Sequence, residues 1–184
     1  MNKTLKKALI IIGAIVVVGF IAMQILKIYT KSHSPQETVA MDNDGVQLSV
    51  AYSRPYKKGR AIFGELVPYG KVWRTGANEA TVFTTNQDLR IGGQTLPAGE
   101  YSLWTIPQPN KWTVIFNSET GQWGVKGPSG EDNRDPANDV LSIDVEVFPV
   151  GGVTEQFTIE LEDAEGIEMV FSWDDILVVV PIDL

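Results

Sequence analysis

The sequence predicts an all-β fold, a single antiparallel β-sandwich of the Ig-like or jelly-roll-like type, behind one N-terminal transmembrane helix. An apolar run of 19 residues, Ala8 to Leu26, with Gln24 as its one polar member, stands near the start of the chain. From Gly45 onward, apolar and polar residues alternate with a period of two, which is typical of half-buried strands. Turns rich in Gly, Pro and Asn separate about ten such strands at spacings of roughly 8–12 residues, which favours a sandwich or barrel.

The apolar run 8–26 is interpreted as a membrane anchor that follows a cytoplasmic N-terminus, residues 1–7. As a helix with a rise of about 1.5 Å per residue, the run would span roughly 28 Å, close to the hydrocarbon thickness of a bilayer. A cleaved signal peptide is the alternative. Its apolar region is usually shorter, and Phe20 is too large for the −3 position of the best cleavage site, which would follow Ala22.

The lysines that flank this run predict its orientation. Three of them precede it and two follow it, and the first 31 residues contain no acidic side chain. The positive-inside rule gives more weight to the first group. The N-terminus is therefore predicted in the cytoplasm, and residues 27–184 in the periplasm or cell envelope.

Composition divides the rest of the chain into a stalk and one domain. Residues 27–44 are rich in Ser, Pro, Gln and Asp without a sustained period, so they are predicted to form a flexible stalk. Residues 45–184 are long enough to bury one core and are predicted to form the sandwich. Within them, Phe148 to Gly152 indicates a break before a final three-strand meander, and Gly92-Gly93 predicts a tight hairpin.

Charge and composition exclude several classes of function. Residues beyond the first 31 hold 10 basic and 23 acidic side chains, a net charge of −13. Such an acidic body would be repelled by a phosphate backbone, so nucleic-acid binding is not expected. The absence of Cys excludes a disulfide scaffold, a thiolate metal site and a Cys nucleophile. No cofactor and no metal site are predicted.

The densest group of chemically capable residues lies between Tyr69 and Glu79. It combines a phenol, an indole, a guanidinium, an amide and a carboxylate, and the tentative ligand-binding residues are Tyr69, Trp73, Arg74, Asn78 and Glu79. Aromatic faces can stack on sugars while polar groups fix orientation. The competing interpretation is a structural loop in which Trp73 is buried and Arg74 pairs with Glu79 or Glu65. That interpretation is favoured, because structural ion pairs resemble functional ones.

Two further patterns carry weaker chemical signals. The acidic stretch 130–139 offers oxygen ligands for Ca²⁺, but its spacing does not match an EF-hand, so a solvated loop is favoured. Glu65, Glu79 and Glu100 could supply the paired carboxylates of a glycoside hydrolase, although an acidic chain always contains such pairs. Pro97 followed by Gly99-Glu100-Tyr101 predicts a turn closed by the tyrosine hydroxyl.

Three ordered segments carry a resemblance to a known family. They read KGRAIFGELVPYGKVWRTGANEATVF, GGQTLPAGEYSLWTIP and KWTVIFNSETGQWG, and the C-terminal VVVPIDL continues the match. Residues 45–184 resemble the bacterial domain-of-unknown-function family 2911, found among cell-envelope proteins. The resemblance implies an exported β-sandwich and no particular reaction.

The combined expectation is a membrane-anchored envelope module with a non-catalytic binding or interaction role. Its partners would be the membrane, through the N-terminal helix, and an envelope glycan or protein. No nucleophile elbow, phosphate loop or zinc-protease motif occurs in the sequence, so an enzyme is not the favoured class. The alternative is a carboxylate-based hydrolase acting on envelope polysaccharide, and a purely structural role also stays open.

Overall fold

The computed structural model describes residues 2–127, 130–163 and 166–184; Met1, Pro128, Ser129, Ala164 and Glu165 lie outside the described residues. The chain divides after His33 into a helical unit and a β-domain that begins at Ser34. The elements in chain order are helix α1 (Lys3–Ser32), strands β1 (Gln36–Asn43), β2 (Val46–Ser53), β3 (Thr81–Thr85), β4 (Leu89–Ile91), β5 (Gln94–Leu96), β6 (Gly99–Pro107) and β7 (Lys111–Asn117), a 3-10 turn (Pro136–Asn138), and strands β8 (Asp139–Asp163) and β9 (Ile167–Asp183).

Helix α1 contains the whole predicted anchor. It begins with an N-cap, because the Asn2 side chain accepts a hydrogen bond from the Thr4 amide at 3.2 Å. By length and composition it can cross a membrane, and its most apolar stretch is not buried against protein. Helices with these two properties near an N-terminus serve either as anchors or as signal sequences.

The nine strands of the described residues form one antiparallel succession in the order β1-β2-β3-β6-β7-β8-β9-β4-β5. Strand β8 connects its two halves: residues from Asp139 to Glu146 pair with β7, and the ladder with β9 begins at Val147. The strands on either side of β8 contribute to one hydrophobic core, which includes Phe83 from β3 and Phe171 from β9. The fold is therefore an antiparallel, sandwich-like sheet around one main core, as predicted, and Ala80, Trp104 and Ile115 form a second, smaller cluster.

Contacts across the core join the two halves of the sheet. The Tyr52 hydroxyl on β2 accepts a hydrogen bond from the Ile159 amide on β8 at 2.9 Å. The rings of Trp112 on β7 and Phe171 on β9 stack with their centroids 6.2 Å apart. Because these side chains meet between the two layers, their burial holds the sandwich closed.

Two local predictions are confirmed. Leu89–Ile91 and Gln94–Leu96 pair through the Gly92-Gly93 turn, in which both glycines have positive φ. The Tyr101 hydroxyl donates to the Pro97 carbonyl at 2.8 Å and closes the turn before β6. Burial raises the pKa of this phenol.

Two other expectations differ from the structure. Phe148 to Gly152 does not separate two strands but lies inside the 25-residue strand β8, where the register with β9 shifts between Pro149 and Thr154. Residues 27–44, expected to be a flexible stalk, contain the end of α1 and all of β1. Strand β1 is fixed because every residue from Gln36 to Asn43 has a partner in β2.

Candidate functional site

The segment from Tyr69 to Glu79, here called the 69–79 loop, runs beside β6. The Gly70 amide donates to the Pro107 carbonyl at 2.9 Å. Trp73 and Thr105 exchange two backbone hydrogen bonds, of 2.7 and 2.8 Å. Strand β3 pairs with the first part of β6, up to Leu103. The loop therefore continues the hydrogen bonding along the same strand, at Thr105 and Pro107.

Trp73 points toward the interior and joins an aromatic cluster. Its ring centroid lies 5.0 Å from that of Phe157, 5.9 Å from Trp112 and 6.0 Å from Trp173. The indole Nε1–H donates to the Gly76 carbonyl at 2.9 Å. The side chain is thus used for packing and for closing its own loop.

The residues that follow Trp73 form a tight, buried bend. Thr75 and Asn78 have positive φ, at 52° and 61°, and both are buried. A Cβ on Gly76 would lie 2.9 Å from the Ser53 carbonyl oxygen, so only glycine fits there. The Asn78 amide donates to the Ser34 carbonyl at 3.3 Å. Asn78 therefore supports the start of the domain and is not presented to solvent.

Arg74 and Glu79 interact electrostatically at the rim of this bend. Burial lowers the pKa of Arg74, and the negative charge of Glu79 opposes that decrease. The Arg74 Nε is buried without a hydrogen-bond partner among the described residues. Gly124 covers the same side chain so closely that a Cβ there would lie 2.1 Å from Arg74 Cδ.

Tyr69 is the most open of the five predicted residues, with 41% of its surface exposed. Its ring lies against Gly64, where a Cβ would be 3.0 Å from Tyr69 Cε2. The structure thus buries Asn78, packs the partly buried Trp73 against the core, leaves Arg74 and Glu79 partly buried and exposes Tyr69. The five side chains do not share one open surface.

A second feature, which we call the β8–β9 groove, lies where the first half of β8 separates from the end of β9. It has a volume of about 580 Å³. Its walls are formed by residues of β8, β9 and the β4–β5 turn: Gly92, Gly93, Ile143, Asp144, Val145, Glu146, Phe148, Glu168, Val179, Pro181 and Asp183. Phe148 is 46% exposed, which is unusual for a large aromatic side chain.

The groove combines an apolar floor with four carboxylates. Hydrogen bonds from Lys111, and secondarily from Thr113, lower the pKa of Asp144. Asp144 is therefore an ionised, paired carboxylate at neutral pH. Among the described residues, no three His, Asp or Glu side chains come together in a way that would hold a metal ion.

The acidic stretch 130–139 has a structural role at the start of β8. Arg134 forms an ion pair with Asp139. The Asn117 amide donates to Asp139 Oδ1 and to the Asp135 carbonyl, both at 2.8 Å. These bonds hold the chain where the register of β7 and β8 shifts next to Asn117.

Sequence reasoning did not find the groove. Its residues come from three separate parts of the chain, and alternation marks Asp144, Glu146 and Phe148 only as the outward face of a strand. The signal that was available is Phe148, an aromatic residue at a position where the alternation requires a polar one.

Comparison with known proteins supports the sequence resemblance. A family described as "Protein of unknown function (DUF2911)" matches residues 34–182. No curated protein and no solved structure matches the chain. The matched range begins at the first residue of the β-domain and ends in the last strand. The chain therefore belongs to the DUF2911 family.

Proposed function

We propose that this protein is a membrane-anchored module of the cell envelope that binds a ligand in the β8–β9 groove without transforming it. The observation that carries the proposal is the groove itself: an exposed Phe148 and an apolar floor beside four carboxylates. Concave sites that combine apolar walls with a few polar groups are the usual form of a ligand site. In this proposal the 69–79 loop has a structural role and does not bind the ligand.

The state of Asp144 argues against this residue as the acid of a hydrolase. A glycoside hydrolase needs one carboxylic acid with a raised pKa, which stays protonated until it donates to the leaving group. The pKa of Asp144 is instead lowered by its hydrogen bonds to Lys111 and Thr113. Asp144 is therefore not suited to act as a general acid, and its negative charge is already paired with Lys111.

The anchor supports the location of the module. Helix α1 is long and apolar enough to span a bilayer. Three lysines before the apolar run and two after it favour a cytoplasmic N-terminus, with the β-domain on the other side of the membrane. A ligand of the groove would then be a molecule of the envelope.

The test uses the full chain in neutral-detergent micelles. Two ligand sets are screened, soluble cell-wall polysaccharide fragments and short synthetic peptides, and new reducing ends are assayed in parallel. We expect saturable binding of a member of one set, and its loss in Phe148→Ser and Glu146→Lys. Asp175→Lys is the matched control, because Asp175 is an exposed carboxylate of β9 outside the groove.

Three outcomes would contradict the proposal. The first is that neither set binds saturably, and the second is that binding is unaffected by both groove variants. The third is the release of new reducing ends, which would establish a hydrolase.

A further inference from the structure

The backbone of β8 offers an unpaired edge inside the groove. In a strand, alternate residues direct their N–H and C=O groups to opposite edges. The Val147 amide donates to the Asn110 carbonyl, beside β7, at 3.1 Å. The even-numbered residues of this segment, which include Asp144 and Glu146, therefore direct their N–H and C=O groups away from β7.

No strand in the described part of the chain pairs with that edge between Ser142 and Glu146. The ladder with β9 begins only at Val147, opposite Val178. Further along, β9 pairs instead with β4, where Ile182 lies opposite Ile91. The two strands thus separate, and the backbone groups of Asp144 and Glu146 face the space between them.

The neighbouring elements limit this open edge but do not cover it. At one end, the Gln94 side-chain amide donates to the Ser142 carbonyl at 3.1 Å. The β4–β5 turn lies against Ile143, since a Cβ on Gly92 would be 2.6 Å from Ile143 Cγ2. On the β9 side, Pro181 lacks an N–H and cannot complete the pairing.

The dimensions of the edge suit a short extended segment. Five residues, from Ser142 to Glu146, correspond to about 16 Å of strand. Open strand edges recruit peptides by main-chain hydrogen bonds, while pockets for alternate side chains provide selectivity. A polysaccharide does not offer N–H and C=O groups at this spacing.

Charge indicates the composition of the segment. Asp144, Glu146, Glu168 and Asp183 line the groove, and because Asp144 is paired with Lys111, the other three are the acidic residues left to meet a ligand. Lysine or arginine side chains on the bound segment would meet them, whereas acidic segments would be repelled.

Resting on the function proposed above, we infer that the β8–β9 groove binds an extended peptide of a partner protein. This peptide adds as a strand to the free edge of β8, and its basic side chains alternate with apolar ones.

The probes are the acetylated peptide TKVKVKT, its acidic counterpart TEVEVET, and two forms of TKVKVKT that are N-methylated at alternate residues of opposite parity. Binding to the full chain in neutral-detergent micelles is measured by fluorescence anisotropy. We expect TKVKVKT to bind at least about tenfold more tightly than TEVEVET. One N-methylated form should lose about tenfold or more in affinity, and the other should bind like the parent peptide. The reason is that only alternate residues of the peptide hydrogen-bond to β8.

Single-residue amide hydrogen exchange provides a direct readout on the unaltered chain. The amides of Asp144 and Glu146 should become protected when TKVKVKT binds. The amides of Ile143 and Val145, which point toward β7, should be protected with or without peptide. In Glu146→Lys the affinity should fall about tenfold, and in Asp175→Lys it should not change.

Other results would overturn the inference. Equal binding of both N-methylated peptides would exclude strand addition, and protection confined to β1 would place the peptide at another edge. Saturable polysaccharide binding that is lost in Phe148→Ser, without peptide binding, would keep the proposed function and refute the peptide. Failure of both ligand sets to bind the groove would refute both.

Discussion

The two tryptophans Trp73 and Trp173 differ in one polar contact although their rings stack together. Trp73 Nε1–H donates to Gly76, whereas Trp173 Nε1 is buried without a partner among the described residues. Replacement by Phe removes the same atoms from each. We expect Trp73→Phe to lower the free energy of unfolding by about 1–3 kcal/mol more than Trp173→Phe, because it leaves a buried carbonyl unpaired.

Urea unfolding of the two variants, followed by near-ultraviolet circular dichroism, measures this difference. Equal losses of unfolding free energy would mean that the hydrogen bond from the Trp73 indole to the Gly76 carbonyl does not stabilise the fold.

The position of the Arg74 side chain can be tested by substituting Gly124, which covers it. Gly124 and Gly121 have similar positive φ, 92° and 84°, but only at Gly124 would a Cβ collide with Arg74. Both alanine substitutions strain the backbone, so their difference isolates the collision. We expect Gly124→Ala to cost about 1–3 kcal/mol more than Gly121→Ala.

The difference should disappear in an Arg74→Ala background, as measured by a double-mutant cycle of unfolding free energies. If it persists, Arg74 does not lie beneath Gly124.

The Asp144–Lys111 contact makes a pH-dependent contribution. A folded-state pKa below the ordinary value stabilises the fold at neutral pH, and this stabilisation is lost as the pH falls through the folded-state pKa. Because the pair is exposed, we expect Lys111→Met to cost less than about 1 kcal/mol at pH 7 and almost nothing once the pH is below the folded-state pKa of Asp144.

Carbon-13 NMR titration of the Asp144 carboxyl gives the matching measurement, and its pKa should rise in Lys111→Met. An unchanged pKa would contradict the assignment of Lys111 as the main cause.

At the scale of elements, β8 shows where local sequence signals stop being sufficient. Its Gly151 and Gly152, next to Pro149, are typical of a turn, yet the strand continues through them. Pairing with β9 up to Pro149 and again at Thr154 keeps the chain extended on both sides of the glycines, and the register shift between these two residues absorbs the misfit.

A glycine substitution tests this account. Gly152 has no left-handed φ, and a Cβ there would meet nothing within 4 Å. We therefore expect Gly152→Thr to change the free energy of unfolding by less than about 1 kcal/mol, with stabilisation as the favoured sign. Gly45→Thr is the control, because Gly45 has φ of 89° in the β1–β2 turn and should lose about 1–2 kcal/mol. Similar losses in both variants would indicate that Gly152 lies in a turn.

Strand β1 was missed although its turn was visible. Asp44-Gly45 is a strong two-residue hairpin signal, and both residues have positive φ. The preceding residues from Gln36 to Asn43 are mostly polar because β1 is an edge strand that buries little. Composition therefore predicted a stalk, and only long-range pairing with β2 could correct it.

The candidate site shows the same limit. The 69–79 loop was recognised from its residue types, but composition does not determine which way Trp73 and Asn78 point. The β8–β9 groove arises because two strands separate, and it joins Gly92 with Glu146 and Asp183. Local alternation predicted each of those strands, while the space between them depends on sheet curvature, which the sequence pattern does not encode.

At the scale of the whole molecule, the proposed function depends on the side of the membrane that holds the β-domain. The charge bias across α1 is small, three lysines against two. Neutralising the lysines before the helix and those after it in separate variants should therefore reveal which group determines the orientation. We expect protease added to intact spheroplasts to cut the domain in the natural sequence.

The lysines themselves supply the matched pair of variants. Replacing Lys3, Lys6 and Lys7 with Gln should leave a substantial fraction of the domain protected until lysis, because the remaining positive charge then lies after the helix. Replacing Lys27 and Lys31 with Gln should keep the domain fully accessible. Mass spectrometry of the membrane fraction checks the anchor in the same samples, since an uncleaved helix retains residues 8–26. A domain that is protected in the natural sequence would place the groove in the cytoplasm, where an envelope ligand could not reach it.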